Sequence, residues 1–329
     1  MTDGAEPAAP LPVFADVDTG VDDAVALVYL LASPDAELIG IASTGGNVPV
    51  SQVCVNNLAL LRLCDATDIP VSSGADAPLH GPAHTAENIH GHQGLGYAEL
   101  APGSGELTAH DAAAAWIRAA HHRPGELVGV ATGPLTNLAL ALRAEPALPT
   151  LLRRLVIMGG AFARARPEFN VRVDPEAAAE VFAAWGAVAP QRLPIVCGLE
   201  LTEQIAMTPA ILDKLAEAAG SASNPLIRVL EDALRFYFEA HDRRGRGYLA
   251  YLHDPLAAAV ALEPDLVTAR PAAVRVELAD PAGRGATVAD FAGREPNALI
   301  GVEVDPAAFF DRLVGRVGAF ARRISARRT

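Results

Sequence analysis

The stretch Asp16-Val17-Asp18-Thr19-Gly20-Val21-Asp22-Asp23 joins a run typical of a β-strand to a run typical of a helix. It holds four carboxylates and no cation, a costly arrangement. Strand alternation puts Asp16 and Asp18 on one side, and the turn at Gly20 returns Asp22 and Asp23 to the same region. A hard divalent cation, calcium or magnesium rather than zinc, would relieve the repulsion. Alternatively, Asp22 and Asp23 only favour the helix N-terminus, which explains two of the four acids.

The N-terminal half repeats this strand-to-helix pattern, which predicts an α/β fold with an open, mainly parallel, Rossmann-like sheet and helices on both faces. The predicted strands are residues 12–17, 37–42, 126–131, 155–158 and 193–196. The predicted helices are residues 21–31, 51–63, 109–120, 135–143 and 175–185. Beyond residue 200 we predict helices at 209–219, 224–240 and 255–262 and a strand at 273–278, and so a helical C-terminal part over the site.

The 329 residues contain no internal repeat and no Gly/Ser linker, so we expect a single domain over residues 1–329, with residues 1–11 flexible. No apolar run is long enough for a membrane span, and the N-terminus lacks the pattern of a signal peptide. The three cysteines form no C-x-x-C pair and are expected to be buried thiols. These features predict a cytoplasmic protein without a membrane partner.

The formal net charge of −13 argues against a nucleic-acid partner and favours a small molecule or a cation. One exception is the basic tail, residues 312–328, which we interpret as the solvated face of a helix.

Further polar residues follow the predicted strands, and ligands of open parallel sheets bind at the carboxyl ends of strands. Asn47 lies in the turn of residues 43–48, Thr132 in a glycine turn before a helix, and Glu168-Phe169-Asn170 follows a later strand. Each has a structural explanation as ordinary turn or helix-initiation chemistry. Asp174-Pro175 and Asp254-Pro255 are likewise good N-cap and first-turn pairs.

A glycine-rich loop, residues 80–97, carries His84, His90 and His92 and is too irregular for core structure. We interpret it as a flexible active-site flap. Its His-x-His pair has no third ligand at a defined spacing, so zinc is not indicated.

Seven segments in order, DVDTGVDDAVAL, STGGNV, HGHQGLG, ATGPLTNLA, MGGAF, EFNVRVDPEAA and LHDPLA, resemble the inosine-uridine-preferring nucleoside hydrolase family, from about residue 16 to residue 255. The opening D-x-D-x-G-x-D-D is specific to that family. The resemblance implies hydrolysis of the N-glycosidic bond of ribonucleosides, one tightly held calcium ion per subunit, and a homodimer or homotetramer.

The metal ligands that the resemblance implies are the side chains of Asp18, Asp23 and Asp254 and the carbonyl of Thr132. Asp18 would also take a proton from the attacking water, and Asp16 would support the cluster. Carboxylates around the ribose suit this chemistry, because an oxocarbenium-like transition state needs negative charge near the sugar. A bound calcium ion would lower the pKa of the attacking water.

The ribose contacts that the resemblance implies are Asp22, Asn47, Glu168 and Asn170. His253 would be the proton donor to the departing base, and His90 would face that base. The preferred base stays open, because Tyr237, His241 and Tyr248 in the helical region could stack on a purine or a pyrimidine.

Three departures from the family pattern limit this transfer. Thr19 replaces the usual proline, Gln93 replaces a common acid, and residues 161–167 lack the Gly-Asn pair whose asparagine contacts the 5′-hydroxyl. Arg164 and Arg166 in that short loop suggest the hypothesis that an anionic 5′ substituent is accepted.

Two other classes remain as alternatives. A haloacid-dehalogenase-like phosphatase also begins with D-x-D, but it needs a lysine, and Lys214 is the only one. A calcium-dependent ribose- or nucleoside-binding protein would lack the water base and the proton donor, whereas Asp18 and His253 are both present. An EF-hand is excluded, because Val21 and Leu27 stand where its loop needs Gly and an acid.

Overall fold

The computed structural model describes residues 9–103, 105–164 and 166–327. Nine strands form one central sheet in the order β10-β9-β11-β6-β5-β4-β1-β2-β3, and two further strands, β7 and β8, form an antiparallel pair. The strands are β1 (Leu11–Val17), β2 (Ala36–Ser43), β3 (Val71–Ser73), β4 (Val128–Ala131), β5 (Arg154–Met158), β6 (Ile195–Cys197), β7 (Ala206–Met207), β8 (Ala250–Tyr251), β9 (Val267–Val276), β10 (Thr287–Asp290) and β11 (Ala298–Val304).

Thirteen α-helices occur in the described residues. They are α1 (Val21–Ala32), α2 (Val50–Leu63), α3 (Glu87–His90), α4 (Ala112–His122), α5 (Thr136–Ala144), α6 (Leu148–Leu151), α7 (Phe169–Val173), α8 (Pro175–Trp185), α9 (Leu199–Thr202), α10 (Pro209–Ala218), α11 (Pro225–Asp242), α12 (His253–Leu262) and α13 (Pro306–Ala326).

The predicted fold class is confirmed, because the sheet is parallel from β11 through β6, β5, β4, β1 and β2 to β3. Two apolar clusters cover its faces: one packs α1, α11, α12 and α13 together, and the other packs α4, α5 and α8. The strands facing both clusters are almost wholly apolar, as expected for a sheet that is buried on both sides.

The C-terminal third contains the predicted helices, as α10, α11 and α12, but it also contains more strand than the sequence predicted. β9, β10 and β11 extend the sheet, with β9 antiparallel to both of its neighbours. β9 covers residues 267–276, earlier and longer than the predicted 273–278. Pro271 and the exposed residues of β9 weaken its strand signal, since proline is uncommon within strands.

The N-terminal segment that was expected to be flexible, residues 1–11, lies mostly outside the described residues. Residues 1–8 of the segment expected to be flexible are not among them, and Leu11 already belongs to β1. The basic tail forms most of α13, whose other face buries Phe309, Leu313 and Val317 against the core. No helix among the described residues is long and apolar enough to span a membrane.

The aspartates of the two Asp-Pro pairs, Asp174-Pro175 and Asp254-Pro255, occupy different positions at the starts of their helices. Asp174 caps α8 as predicted, because its Oδ1 accepts a hydrogen bond of 3.0 Å from the Ala177 N–H. For Asp254 the N-cap prediction was wrong: α12 begins at His253, with Leu252 at the N-cap. Asp254 lies in the first turn, where its side chain joins other carboxylates.

Candidate active site

The carboxyl ends of β1, β2, β4, β5 and β6 meet on one edge of the sheet, and the loops that follow them hold the predicted site residues. Asp18 follows β1, Asn47 follows β2, Thr132 follows β4 and Glu168 follows β5. Asp22 and Asp23 lie in the first turn of α1, whose N-cap residue is Gly20. All six of these side chains are buried, so strands far apart in sequence build one enclosed polar centre.

Asp22, Asp23 and Asp254 form the tightest group, with one carboxylate oxygen from each within 4.8 Å of the others. Asn47 links Asp18 to this group: its backbone N–H donates to Asp18 Oδ2 at 2.8 Å, and its side-chain amide donates to Asp23 Oδ2 at 3.2 Å. The predicted convergence of carboxylates is therefore present, although Asp254 takes the place expected for Asp16.

Asp16 is bonded elsewhere. Its Oδ2 accepts from the Trp116 indole N–H at 2.7 Å and its Oδ1 from the Asn137 amide at 3.0 Å. Burial raises the pKa of Asp16 to about 7, while these two hydrogen bonds oppose that rise. The side chain thus holds β1 to α4 and α5, behind the cluster.

The cluster is strained electrostatically. Burial and then the charges of Asp23 and Asp22 raise the pKa of Asp18 well above its ordinary value, and burial and then Asp23 raise that of Asp22 to about 8. Burial, then the charges of Asp22, Asp23 and Asp18, raises the pKa of Asp254 strongly. Such crowding needs protons or a cation.

Two oxygens in this cluster, Asp18 Oδ1 and Asp22 Oδ1, are buried and have no hydrogen-bond partner among the described residues. Buried polar atoms are nearly always paired, so these two point to a ligand. The available donors are carboxylate oxygens together with a backbone carbonyl, the set that calcium and magnesium prefer. The residues present therefore fit a hard divalent cation.

Thr132 and Asn170 connect the cluster to the next strand. The Thr132 hydroxyl donates to Asp23 Oδ1 at 2.8 Å, and its carbonyl accepts from the Asn170 amide nitrogen at 2.6 Å. A carbonyl oxygen has two lone pairs, so one remains for a metal. Asn170 also donates to the Met158 carbonyl at 3.3 Å, which leaves its Oδ1 as the atom that can face a ligand.

Glu168 is held by the backbone around it. Its two carboxylate oxygens accept from the N–H groups of Gly160, Asn170 and Val171 at 2.8–3.1 Å, and it caps α7. Burial nevertheless raises the pKa of Glu168 above its ordinary value. The short helix that follows fixes Asn170 two residues further on.

The glycine-rich loop brings one of its three histidines into the site. His84 and His92 are exposed, whereas His90 ends the short helix α3 and is buried. His90 Nδ1 accepts from the Val21 N–H at 3.1 Å, which places the ring proton on Nε2. Burial, and next the charge of His253, lowers the pKa of His90 to about 3. Its ring is therefore neutral at neutral pH.

His253 begins α12 and is half-buried, with its Nδ1 2.7 Å from the Thr202 hydroxyl. Burial, and next the charge of His241, lowers its pKa to about 3. A row of rings joins it to His90 through Tyr251, His241 and Tyr237, with successive centroids 4.6–5.9 Å apart. This row forms an aromatic wall.

A cavity of about 440 Å³ lies between the cluster and that wall. Among the predicted site residues, those that line it are Asp22, Asn47, His90, Thr132, Glu168, Asn170, His253 and Asp254. Asp18 and Asp23 lie behind this surface. Tyr237 and His241 also line the cavity, as the sequence suggested, whereas Tyr248 is exposed and does not.

Three residues escaped sequence reasoning: Trp116 and Thr202, which support site residues, and Arg244, which only lines the cavity. Trp116 and Thr202 lie in helices without any motif, and their partners are 100 and 51 residues away in sequence. Arg244 follows α11 and lines the cavity. No local pattern indicates contacts of this kind.

The fold and site together define an α/β protein that holds a small polar ligand over a buried carboxylate cluster at the carboxyl ends of parallel strands. Residues 13–311 match the family model described as inosine-uridine preferring nucleoside hydrolase. The chain therefore belongs to this nucleoside hydrolase family.

Several similar proteins of known name are also nucleoside hydrolases. The pyrimidine-specific ribonucleoside hydrolase RihA of Salmonella paratyphi B is 37% identical over 325 residues, which cover 94% of this chain and 99% of the relative. A plant nucleoside hydrolase is 31% identical with a TM-score of 0.85, covering 94% of this chain and 99% of its own. A purine-preferring ribonucleoside hydrolase from Gardnerella vaginalis is 30% identical with a TM-score of 0.86, covering 95% and 99%.

The predicted family and the predicted enzyme class, a hydrolase of N-glycosidic bonds in ribonucleosides, are both confirmed. The phosphatase and the non-catalytic binding protein are accordingly set aside.

Proposed function

We propose that the protein is a calcium-dependent ribonucleoside hydrolase that acts on pyrimidine nucleosides. The observation that carries the calcium dependence is the cluster of Asp18, Asp22, Asp23 and Asp254, whose carboxylates are all buried and which keeps two oxygens without a hydrogen-bond partner among the described residues. The pyrimidine preference rests on the name of the 37% identical Salmonella relative.

Asp18, Asp23, Asp254 and the Thr132 carbonyl would hold the ion. When bound, calcium supplies positive charge that neutralises the cluster and lowers the pKa of water. Asp22 belongs to the tightest carboxylate trio, so it lies close enough to contact both the ion and a ribose hydroxyl.

Asp18 is the base in this proposal. Its Oδ2 is fixed by the Asn47 N–H, so Oδ1 is the atom that can take a proton from the attacking water. Burial and the other aspartates raise its pKa, and it accepts a proton readily for that reason. It must first be ionised, which requires the cluster to be neutralised.

Asp22, Asn47, Glu168 and Asn170 would hold the ribose. All four line the cavity, and two of them are carboxylates that stabilise the positive charge developing on the sugar as the N-glycosidic bond breaks. The backbone hydrogen bonds to Glu168 and the amide bonds of Asn170 keep these side chains in place before the substrate binds.

His253 would serve the departing base. In this proposal His253 Nδ1, 2.7 Å from the Thr202 hydroxyl, accepts from it, so that the ring carries its proton on Nε2 and donates it toward the base nitrogen that gains the bonding electrons. Its depressed pKa makes a neutral donor ring. His90, neutral and buried next to Tyr237, would face the same base.

The test is release of ribose from a panel of purine and pyrimidine ribonucleosides by chelator-treated protein, before and after calcium is added back. We expect calcium to restore the activity and uridine and cytidine to be hydrolysed faster than the purine nucleosides. Asp18→Asn should lower kcat by about 10³-fold. Asp311→Asn, an exposed aspartate on α13, is the matched control. Activity that is unaffected by chelation or by Asp18→Asn would contradict the proposal.

We also make proposals on the location, the domain organisation and the oligomeric state of the protein. We propose a cytoplasmic location, which is consistent with the buried free thiols Cys54, Cys64 and Cys197. We propose a single domain, since strands from both ends of the chain share the central sheet. A homodimer or homotetramer is proposed from the family resemblance, and sedimentation velocity would test it.

A further inference from the structure

Arginines surround the mouth of the active-site cavity. Five exposed arginines line it: Arg164, Arg166, Arg172, Arg244 and Arg246. The acids that line the same cavity, Asp22, Glu168 and Asp254, are all buried. The site therefore has a negative floor and a positive rim, in a chain whose formal net charge is −13.

Two of the rim arginines are neutralised by one acid. Arg164 forms a two-pronged ion pair with Glu203 and lies 3.7 Å from Glu200, and Arg246 donates to Glu203 at 3.1 Å. These contacts tie the loop before Glu168 to α9. Arg164, one of the two residues behind the 5′-substituent hypothesis, is thus occupied.

The other three rim arginines have no carboxylate partner among the described residues. Arg172 stacks over Phe169, with its guanidinium carbon 5.6 Å from the ring centroid. Arg244 donates to the backbone carbonyls of Ala240 at 3.0 Å and Asn88 at 3.5 Å. Both contacts orient a guanidinium without cancelling its charge.

A neutral nucleoside gains little from three uncompensated cations. An anionic one needs them, because the buried acids would otherwise repel it. Guanidinium groups also bind phosphate and carboxylate oxygens with two parallel hydrogen bonds.

We infer that the preferred substrate is a ribonucleoside with an anionic oxygen group, bound at the rim by Arg166, Arg172 and Arg244. This inference rests on the proposed function. The anion is a phosphate on the sugar or a carboxylate on the base. Arg166 and Arg172 flank Glu168 and Asn170, the proposed ribose contacts, whereas Arg244 follows α11, which carries Tyr237.

The reaction balances without a further reactant. Water forms the new bond to C1′, the N-glycosidic bond breaks, and the base leaves with the bonding electrons and a proton. A phosphate ester or a carboxylate elsewhere on the substrate stays intact, so a nucleotide would yield ribose 5-phosphate and the free base.

The experiment compares kcat/KM for uridine, uridine 5′-monophosphate and orotidine, a uridine that carries a carboxylate on the base. The variants are Arg166→Gln, Arg172→Gln and Arg244→Gln. Arg153→Gln is the matched control, because Arg153 is exposed and precedes β5 at the opposite edge of the sheet. All are assayed at low and high ionic strength.

We expect at least one anionic substrate to exceed uridine about tenfold, and each affected variant to lose about tenfold on it while staying within about twofold on uridine. High salt should lower only the anionic rate. A preference for the monophosphate identifies the sugar phosphate as the anion, and a preference for orotidine identifies the base carboxylate.

Uridine preferred over both anions, with unchanged ratios in all variants, would overturn the inference and leave the proposed function standing. If none of the three substrates is hydrolysed, the proposed function fails instead, and titration calorimetry with ribose 5-phosphate, orotate and ribose decides the inference. Tighter binding of either anion than of ribose, weakened by an arginine variant, supports it; equal binding of all three refutes it.

Discussion

Replacing Asp22 by asparagine should stabilise the metal-free protein and reduce the stabilisation that calcium gives. The substitution keeps the size of the side chain and removes one of four crowded charges. Asp22 Oδ1 has no hydrogen-bond partner among the described residues, so the substitution breaks no hydrogen bond at that atom. The effect on stability therefore reports charge repulsion.

The magnitude follows from the geometry. The carboxylate oxygens of Asp22, Asp23 and Asp254 lie within 4.8 Å of one another, so each fully charged pair costs about 3 kcal/mol at an effective dielectric constant of about 20. Asp22 belongs to two such pairs. Protonation already removes part of this cost, because burial and Asp23 raise the pKa of Asp22 to about 8. We expect a net gain of about 3 kcal/mol in the free energy of unfolding, or about 4 °C in Tm for 329 residues.

Thermal unfolding in chelator and in excess calcium, at one protein concentration, is the assay. In chelator the Tm of Asp22→Asn should exceed that of the wild type. In calcium the order should reverse, since the variant offers the ion less charge and gains less from it. Asp311→Asn should shift Tm by no more than about 1 °C in either condition. A lower Tm for Asp22→Asn in chelator would refute the repulsion argument.

Three further predictions follow. His253→Ala should lower kcat about 10²-fold on uridine but only a few-fold on p-nitrophenyl riboside, whose leaving group departs without a proton; equal losses would exclude the donor role. Trp116→Phe removes the 2.7 Å bond to Asp16 and should cost about 2 kcal/mol in urea unfolding, and a loss under about 0.5 kcal/mol would count against it. Burial raises the pKa of Cys197 to about 12, so its thiolate is scarce below that pH; peptide mass spectrometry should find it unalkylated by iodoacetamide at pH 8 until the protein is unfolded.

The sequence predicted the parts of the site that local patterns encode. The strand-turn-helix of residues 16–23 predicted a converging cluster because strand alternation and the first helical turn fix where each carboxylate lies. It also predicted β1, β2, β4, β5 and β6 within a few residues, but it missed the short edge strand β3. Loops after parallel strands meet at one edge, so Asn47, Thr132 and Glu168 could be assigned to the same region in advance.

Other parts of the site and of the sheet depend on long-range contacts that no local sequence pattern indicates. The local pattern indicated only an N-cap at Asp254, because Asp-Pro is a common helix start, and a metal-binding role came from the family resemblance alone. Packing of α12 against α1 places Asp254 in the cluster. Asp16 was expected in the cluster, but Trp116 and Asn137 provide it with other partners. β11, in the interior of the sheet, was missed because its position is set by pairing with β6 and β9.

Thr19 shows how long-range bonds can replace local rigidity in the turn of the metal cluster. At the position where the resemblance implies a proline, the Thr19 hydroxyl donates to Asn57 Oδ1 at 2.5 Å, and the Thr19 carbonyl accepts from the Asn56 amide at 3.1 Å. The same Asn56 amide donates to the carbonyl of Gln93 at 2.8 Å. One side chain on α2 therefore holds both the turn and the glycine-rich loop. Because that loop carries His90 into the cavity, Asn56 couples the position of His90 to the turn of the acidic cluster, through the backbone carbonyls of Thr19 and Gln93.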